Sequence, residues 1–192
     1  MSPQRSGNAD VGRGYALYVL RLVSRTVLND RAILLYAQWP LQPGKDVMRI
    51  SRHQYYIQVA TAVAQRSTCI DKQVGCVLVD ESTGNILSTG YNGNPKGVFN
   101  CCDENCCVKN DGLPCYAVHA EINALIQRLT NVPFVAYCTL EPCIQCTAAL
   151  INAGCTKVLF VNETNHNKTG HGLWSRVRPE DTWIHMGLSY GN

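Results

Sequence analysis

The spacing of apolar residues changes from helical to strand-like after residue 66. Between Ser51 and Arg66 the apolar positions fall three and four apart, which predicts an amphipathic helix. The next apolar run, Val74–Val79, is short, rich in β-branched residues and bounded by polar pairs, which predicts a strand. Residues 86–90 form the second arm of a hairpin, and the turn-rich segment 91–97 follows it.

A cysteine-dense loop that ends at Cys115 separates the hairpin from two helix-then-strand units. The same spacing rules predict a helix over 119–130, a strand over 133–139, a helix over 143–153 and a strand over 157–161. A hairpin followed by two such units indicates an α/β fold with a mixed central sheet and helices on its faces.

Residues 1–47 differ from the rest of the chain. They contain no cysteine, carry six basic and three acidic side chains, and end near the chain-breaking segment Pro40–Gly44, whereas the remaining residues carry equal numbers of basic and acidic groups. We therefore predict an N-terminal extension of uncertain role over 1–47 and one domain over 48–192. Three interpretations of the extension stay open: a targeting or membrane-surface helix, a simple appendage, or read-through from an upstream start with Met48 as the natural first residue.

Composition narrows the class of protein. Hydrophobic residues make up 46% of the 192 residues and charged residues 16%, which predicts a globular domain rather than a disordered chain. Charged residues interrupt the longest apolar stretch, so we expect no transmembrane helix. The formal net charge is only +3 and the predicted main domain is neutral, which argues against a broad basic surface for polynucleotides.

The chain has 11 cysteines, and none of them precedes Cys69. An odd number with two C-x-x-C-like clusters favours a reducing compartment with metal sites over a secreted, disulfide-rich scaffold. We therefore expect a cytoplasmic protein. Cys76, Cys138 and Cys155 lie in apolar runs, and we expect them in the core.

One constellation carries recognisable chemistry. His119 and Glu121 lie two residues apart, and Pro142 precedes Cys143 and Cys146, which gives the H-x-E…P-C-x-x-C pattern of zinc nucleobase deaminases. One imidazole and two thiolates are the three ligands of a catalytic zinc, whose fourth position stays open to water. We expect Pro142 at the first helical position and both sulfurs on one face of that helix. Glu121 would move protons from the zinc-activated water to the substrate.

The alternative interpretation of these residues is a structural zinc knuckle beside an unrelated helix, because lone C-x-x-C motifs are common. Such a non-enzymatic zinc module would bind other proteins, and Glu121 would then be incidental.

Residues 51–190 resemble the cytidine deaminase superfamily and, more finely, the deoxycytidylate (dCMP) deaminases. The zinc motif alone looks equally like tRNA adenosine deaminases and riboflavin-pathway deaminases. Three other segments therefore carry the finer resemblance, in order and in spacing: Arg66–Cys69 with Gln73–Gly75, Gly90–Gly97, and Cys115–Glu121. The resemblance implies a three-layer α/β/α cytidine-deaminase-like fold and the hydrolysis of dCMP to dUMP and ammonia.

The resemblance also implies roles for individual residues. Asn92 would contact the sugar, the Ala120 backbone the cytosine, and Arg66 the 5′-phosphate. The resemblance further implies an effector site, where dCTP activates and dTTP inhibits, with Mg²⁺ bound to the triphosphate. This site would comprise Gly90, Tyr91, Asn92, Gly93, Pro95 and Gly97. The glycines would let the backbone approach a nucleotide closely. From local sequence alone, the same loop is an ordinary turn and Arg66 an ordinary helix end.

Five cysteines lie within residues 101–115 and, together with Cys69, exceed what one zinc site can use. Buried free thiols or a redox pair are one interpretation. The resemblance implies a second, structural zinc bound by four thiolates, those of Cys69, Cys101, Cys106 and Cys115. Cys102 and Cys107 share the same spacing and could replace their neighbours.

The sequence thus predicts a zinc-dependent dCMP deaminase of pyrimidine deoxynucleotide metabolism, which supplies thymidylate synthesis. Its partners would be small nucleotides, and the resemblance implies a homo-oligomer, a hexamer in that family. Two alternatives stay open: a tRNA or polynucleotide deaminase, which would need a basic surface with stacking aromatic residues, and the non-enzymatic zinc module.

Overall fold

The computed structural model of the chain describes residues 49–105, 107, 109, 112–165 and 168–187. The predicted extension over 1–47 lies outside the described residues, and so does Cys106. The predictions made for them, including the domain boundary, therefore stay predictions.

The described residues form a five-stranded sheet with helices on both faces. Its strands are β1 (Gly75–Asp80), β2 (Ile86–Tyr91), β3 (Phe134–Leu140), β4 (Cys155–Asn162) and β5 (Trp183–His185). The α-helices are α1 (Arg52–Ala64), α2 (Cys101–Glu104), α3 (Ala120–Gln127), α4 (Ile144–Asn152) and α5 (His171–Trp174), and a 3₁₀ turn spans Glu180–Thr182. None of these helices combines the length and the hydrophobicity that a membrane span requires.

The strand order is β2-β1-β3-β4-β5. Strand β1 pairs antiparallel with β2 and with β3, whereas β3, β4 and β5 run parallel to one another. The hairpin and the two helix-then-strand units therefore build the mixed sheet that the sequence predicted. Strand β5 was not predicted; it is only three residues long, and Trp183 holds it against Phe160 and Trp174, with ring centroids 5.7 and 5.5 Å apart.

Alternation along the central strands divides the core into two layers. Cys76 and Leu78 of β1 face α3 and α4, whereas Val77 and Val79 face α1. Strands β3 and β4 alternate in the same way, and Cys76, Cys138 and Cys155 are all fully buried, as expected. The fold is thus the three-layer α/β/α arrangement that the sequence predicted.

Helix α1 begins with a capping box, in which Ser51 accepts a hydrogen bond from the backbone N–H of Gln54 and the Gln54 side chain accepts one from the backbone N–H of Ser51. This reciprocal pair satisfies two N–H groups at the end of the helix. The predicted helix over 51–66 therefore starts where expected and ends two residues early, at Ala64.

Two glycines bring helices into direct contact with the sheet. A Cβ atom at Gly75 would lie 2.7 Å from the backbone nitrogen of Ala64 in α1, and one at Gly90 would lie 2.9 Å from Cα of Ala124 in α3. Both obstructing groups are backbone atoms, which cannot move without the whole helix. Glycine at these positions therefore sets the distance between each helix and the sheet.

We predict that Gly90→Ala lowers the free energy of unfolding by about 1–3 kcal/mol, which is the usual cost of overpacking a core. Urea denaturation of the purified protein measures this change. Gly172→Ala is the matched control, because a Cβ atom at Gly172 meets nothing within 4 Å. Equal stability of the two variants would show that α3 does not depend on close contact with β2.

Candidate active site

The candidate site lies at one edge of the sheet. Strands β2, β3 and β4 end at this edge and β1 begins there, because β1 runs antiparallel to both of its neighbours. The segments that enter or leave these four strands therefore meet. In open α/β sheets, ligands bind at the edge formed by the carboxyl ends of parallel strands.

Helix α3 places His119 at this edge. His119 is the N-cap residue of α3, in extended conformation, and its side chain makes no capping hydrogen bond. The preceding residue, Val118, forms an isolated β-bridge with Gly93. Asn123, one turn into α3, donates to the carbonyl oxygen of Tyr91 at 2.8 Å. The end of β2 and the start of α3 are therefore locked together.

Helix α4 presents the two cysteines. Cys143 is its N-cap residue, and helical structure begins at Ile144. The prediction that Pro142 occupies the first helical position was therefore wrong, because Pro142 precedes the N-cap residue. Cys146 lies in the first turn, so both sulfurs still lie on the side of α4 that faces His119.

The imidazole and the two thiols converge closely. Nδ1 of His119 lies 3.5 Å from Sγ of Cys143 and 3.3 Å from Sγ of Cys146. All three candidate ligand atoms lie within 4.8 Å of one another. Within the described residues this is the one group of three or more His, Cys, Asp or Glu side chains that could hold a metal ion.

The protonation chemistry of the two thiols fits a bound dication. The Cys146 thiol and the His119 imidazole donate hydrogen bonds to Cys143, which lowers the pKa of Cys143 to about 3. The pKa of Cys146 is raised, because it donates to Cys143 and is buried. A metal ion that replaces the shared proton would keep both sulfurs as thiolates. The donor set, one imidazole and two thiolates, is typical of zinc with an open fourth position.

Glu121 lies in the first turn of α3, beside this group, and only 4% of its surface is exposed. Burial raises the pKa of its carboxyl, whereas its own backbone N–H and the nearby His119 act in the opposite direction. The carboxyl also forms a hydrogen bond with Cys146. A buried carboxyl whose pKa is raised is suited to accept a proton and to release it during a reaction.

A cavity of about 260 Å³ opens in front of Glu121. Asn92, Ala120, His119 and Cys143 line it, as a substrate site requires, but Arg66 does not. Three lysines that the sequence analysis did not select line the cavity instead, and they come from three separate segments: Lys72, Lys109 and Lys168. Lys109 forms an ion pair at 3.1 Å with Asp71, which also lines the cavity.

The Asn92 side chain lines the cavity and also holds neighbouring segments together through hydrogen bonds. Its side-chain oxygen accepts hydrogen bonds from the Ser67 hydroxyl at 2.7 Å and from the backbone N–H of Val74 at 2.8 Å. Its amide donates to the carbonyl oxygen of Lys72 at 2.8 Å. One N–H of the amide therefore stays available for a sugar hydroxyl.

The predicted effector loop divides into two parts. Gly90 packs against α3, and Gly93 packs against the Thr68 side chain, so both glycines approach the protein itself rather than open space. Gly97 has a φ of +92° and open space around its Cα, and Pro95 is exposed. Residues 94–97 are therefore the part of the loop that a ligand could approach.

The Cys101 thiol lies near the thiols of Cys107 and Cys69, although these three sulfurs do not all lie within the 4.8 Å that the first group meets. All three side chains are buried: Cys69, Cys101 and Cys107. Burial raises the pKa of Cys101, and the nearby Cys107 and Cys69 thiols raise it further. Cys102 is exposed and lies against Asp103 instead. Cys115 is exposed and lines the same cavity as Cys69. The structure thus favours Cys101 over Cys102, and it brings Cys107 to the position for which the sequence analysis named Cys106.

We predict that Cys146→Ser abolishes zinc binding at the first group, because a serine hydroxyl is not a thiolate ligand at neutral pH. The zinc content of dialysed protein should fall by one ion per chain. Cys102→Ser is the matched control, because Cys102 is exposed and faces Asp103, and it should keep the wild-type zinc content. Unchanged zinc in Cys146→Ser would contradict the ligand set.

Comparisons with known proteins agree with this geometry. The model of the cytidine and deoxycytidylate deaminase zinc-binding region matches residues 50–162. Deoxycytidylate deaminase of Saccharomyces cerevisiae is 34% identical over 122 residues, which cover 59% of this chain and 38% of that protein. Deoxycytidylate deaminase of Schizosaccharomyces pombe is 32% identical over 167 residues, which cover 78% of this chain and 50% of that protein. The chain thus spans half or less of the length of these two curated relatives.

A solved structure is similar over most of the described fold. The dCMP deaminase of cyanophage S-TIM5, in complex with dCMP and dUMP, superimposes with a TM-score of 0.61 at 29% identity and covers 72% of this chain and 99% of that one. Both structures have a cytidine-deaminase-like fold. The family match spans both helix N-termini that carry His119, Glu121, Cys143 and Cys146, so the chain belongs to the cytidine and deoxycytidylate deaminase family.

Proposed function

We propose that this chain catalyses the hydrolytic deamination of dCMP to dUMP and ammonia. The observation that carries the proposal is the buried Glu121 carboxyl beside His119, Cys143 and Cys146, at the end of an open cavity. A structural zinc site has no use for this carboxyl, because it is not needed to complete a ligand set. Family membership and the dCMP deaminases among the relatives support the same reaction.

His119, Cys143 and Cys146 would hold the zinc ion. Bound zinc supplies a Lewis acid that makes water a nucleophile at neutral pH. Glu121 would accept one proton from the water that attacks C4 of the cytosine and deliver it to the ring nitrogen N3. It would then carry the second proton, from the new C4 hydroxyl, to the amino group, which leaves as ammonia as the C4 carbonyl forms. The walls of the cavity hold the base in place, with Ala120 next to the reacting centre.

A negatively charged substrate suits the cavity. Lys72, Lys109 and Lys168 line it, together with the acidic side chains of Asp71, Glu121 and Glu141. Among the described residues Lys109 is paired with Asp71 and neither Lys72 nor Lys168 forms an ion pair, so these two ammonium groups could bind an anion. Arg66, which the resemblance assigned to the 5′-phosphate, lies outside this lining. We therefore assign the phosphate of dCMP to Lys72 and Lys168, which keeps the predicted substrate and changes the residues that bind it.

The predictions of regulation and of oligomeric state rest on the resemblance alone, and the cytoplasmic location rests on the cysteine content. Regulation by dCTP and dTTP with Mg²⁺ would use the accessible residues 94–97 of the predicted effector loop. A homo-oligomer of hexameric type and a cytoplasmic location complete the proposal.

The decisive experiment compares substrates on the full chain. The wild-type protein should deaminate dCMP with a higher kcat/KM than deoxycytidine, which lacks the phosphate, and should not act on single-stranded DNA or tRNA. Glu121→Gln should keep its zinc and lose about 10²–10⁴-fold in turnover, because an amide of the same shape cannot transfer protons. Glu81→Gln, at an exposed position, is the matched control.

Three outcomes would overturn the proposal. Preferred action on a polynucleotide would identify an editing enzyme, and zinc binding without any deamination would identify an interaction module. Near-normal turnover by the Glu121→Gln variant would show that Glu121 does not transfer protons in the reaction.

We also propose a second, structural zinc bound by the thiolates of Cys69, Cys101, Cys107 and Cys115. The interaction of the Cys101 thiol with the Cys107 and Cys69 thiols supports it. Metal binding would draw the four sulfurs closer together than they lie in this structure, into a closed tetrahedral site. Such a site would tie the cysteine-dense segment to the residues just before His119.

The second site predicts different effects of two adjacent substitutions. Cys107→Ser should remove one zinc per chain and lower the Tm, because metal binding energy contributes to folding. Cys106→Ser should keep both zinc ions. Loss of zinc in Cys106→Ser but not in Cys107→Ser would identify Cys106 as the ligand. If both variants keep two zinc ions per chain, these cysteines are free thiols.

A further inference from the structure

Glu141 connects three parts of the molecule that meet at the candidate site. It follows the last residue of β3 and comes two residues before the proposed ligand Cys143. One carboxylate oxygen, Oε1, accepts hydrogen bonds from the Thr169 hydroxyl at 2.6 Å and from Nε1 of Trp183 at 3.2 Å. The other, Oε2, accepts one from the backbone N–H of Thr164 at 3.2 Å.

Two of these donors belong to the connection between β4 and α5. Thr164 lies near its start and Thr169 near its end, so one carboxylate binds both parts of the connection. The third donor belongs to β5, whose Trp183 packs on the core. Among the described residues no Lys, Arg or His forms an ion pair with Glu141, so its partners are neutral donors.

The same connection closes the N-terminus of α4. Thr169 forms an isolated β-bridge with Cys143, and the backbone N–H of Ile144, the first helical residue, donates to the carbonyl oxygen of Lys168 at 3.1 Å. The backbone N–H of Gly170 donates to the carbonyl oxygen of Pro142 at 2.9 Å. The position of Cys143 therefore depends on the β4–α5 connection, and the connection depends on Glu141.

We propose that Glu141 is a positioning residue for the zinc site: through the β4–α5 connection it fixes Cys143, and with it the cavity wall that carries Thr164 and Lys168. The inference rests on the proposed zinc site and goes beyond the residues that bind zinc or transfer protons. Partners that hold a metal ligand in place commonly contribute about 10–100-fold to metal affinity or activity.

An amide cannot replace this carboxylate. The backbone N–H of Thr164 and Nε1–H of Trp183 are donors only, and they approach different oxygens of Glu141. Whichever way the side-chain amide of a Glu141→Gln variant is turned, its NH₂ group meets one of these donors. Glu141→Gln therefore keeps the shape and removes the acceptor pattern.

The test uses the full zinc-loaded chain and two readouts that do not depend on turnover. The first is the rate at which a chelator removes zinc, and the second is the visible d–d absorption of protein loaded with Co²⁺, which reports ligand geometry. For Glu141→Gln we expect zinc release about 10-fold faster, an altered Co²⁺ spectrum and a kcat for dCMP about 10-fold lower. Glu163→Gln is the matched control, because the Glu163 carboxylate lies 3.6 Å from His185, and it should behave like the wild type.

Two further variants keep the proposal falsifiable if Glu141→Gln does not fold. Thr169→Val removes one donor at nearly constant shape, and Trp183→Phe removes another together with part of the packed indole ring. Each variant should make zinc release faster. A lower Tm with wild-type zinc release and a wild-type Co²⁺ spectrum would overturn the proposal, because Glu141 would then only stabilise the fold. If Glu141→Gln changes zinc release and the Co²⁺ spectrum but the wild-type chain does not deaminate dCMP, the positioning role of Glu141 stands and the proposed function is refuted.

Discussion

The fold depends on bringing two helix N-termini to one point. His119 and Cys143 are the N-cap residues of α3 and α4, and neither side chain caps its own helix. Ser51 shows the usual arrangement at α1, where such a cap contributes about 1 kcal/mol. At α3 and α4 a candidate metal ligand occupies the cap position instead. The partial positive charge of a helix N-terminus favours the thiolate form of cysteine there, so helix geometry and metal chemistry act together.

The strand order makes this convergence possible. Strand β3 lies at the centre of the sheet, antiparallel to β1 and parallel to β4, so the ends of β3 and β4 and the start of β1 share one edge. Three segments at this edge each contribute one wall of the cavity: the turn after β3 that carries the thiols, the connection after β4, and the segment before β1. A single edge therefore supplies the metal ligands, the buried carboxyl and the lysines.

Local patterns in the sequence predicted the order of the elements and the His-x-Glu and Cys-x-x-Cys constellation, because both are encoded by residues close together in the chain. They could not predict that Lys72, Lys109 and Lys168 share a cavity, since this depends on strand order and direction. The resemblance assigned the 5′-phosphate to Arg66, which does not line the cavity, whereas local sequence left Arg66 as an ordinary helix end. Strand β5 was missed because three residues carry too little periodicity. The role of Glu141 was missed because its three hydrogen-bond donors are distant in sequence.

Gly90 has a consequence for recognising related chains. Its contact with α3 is made at the level of the backbone, one residue after His119 and at the helix that carries Glu121. A chain that keeps the His-x-Glu and Cys-x-x-Cys residues but has a larger side chain at this position would have to hold α3 farther from the sheet, and its imidazole would no longer meet the thiols in the same way. The strand glycine thus belongs to the diagnostic pattern of this site, although it has no side chain and touches no ligand.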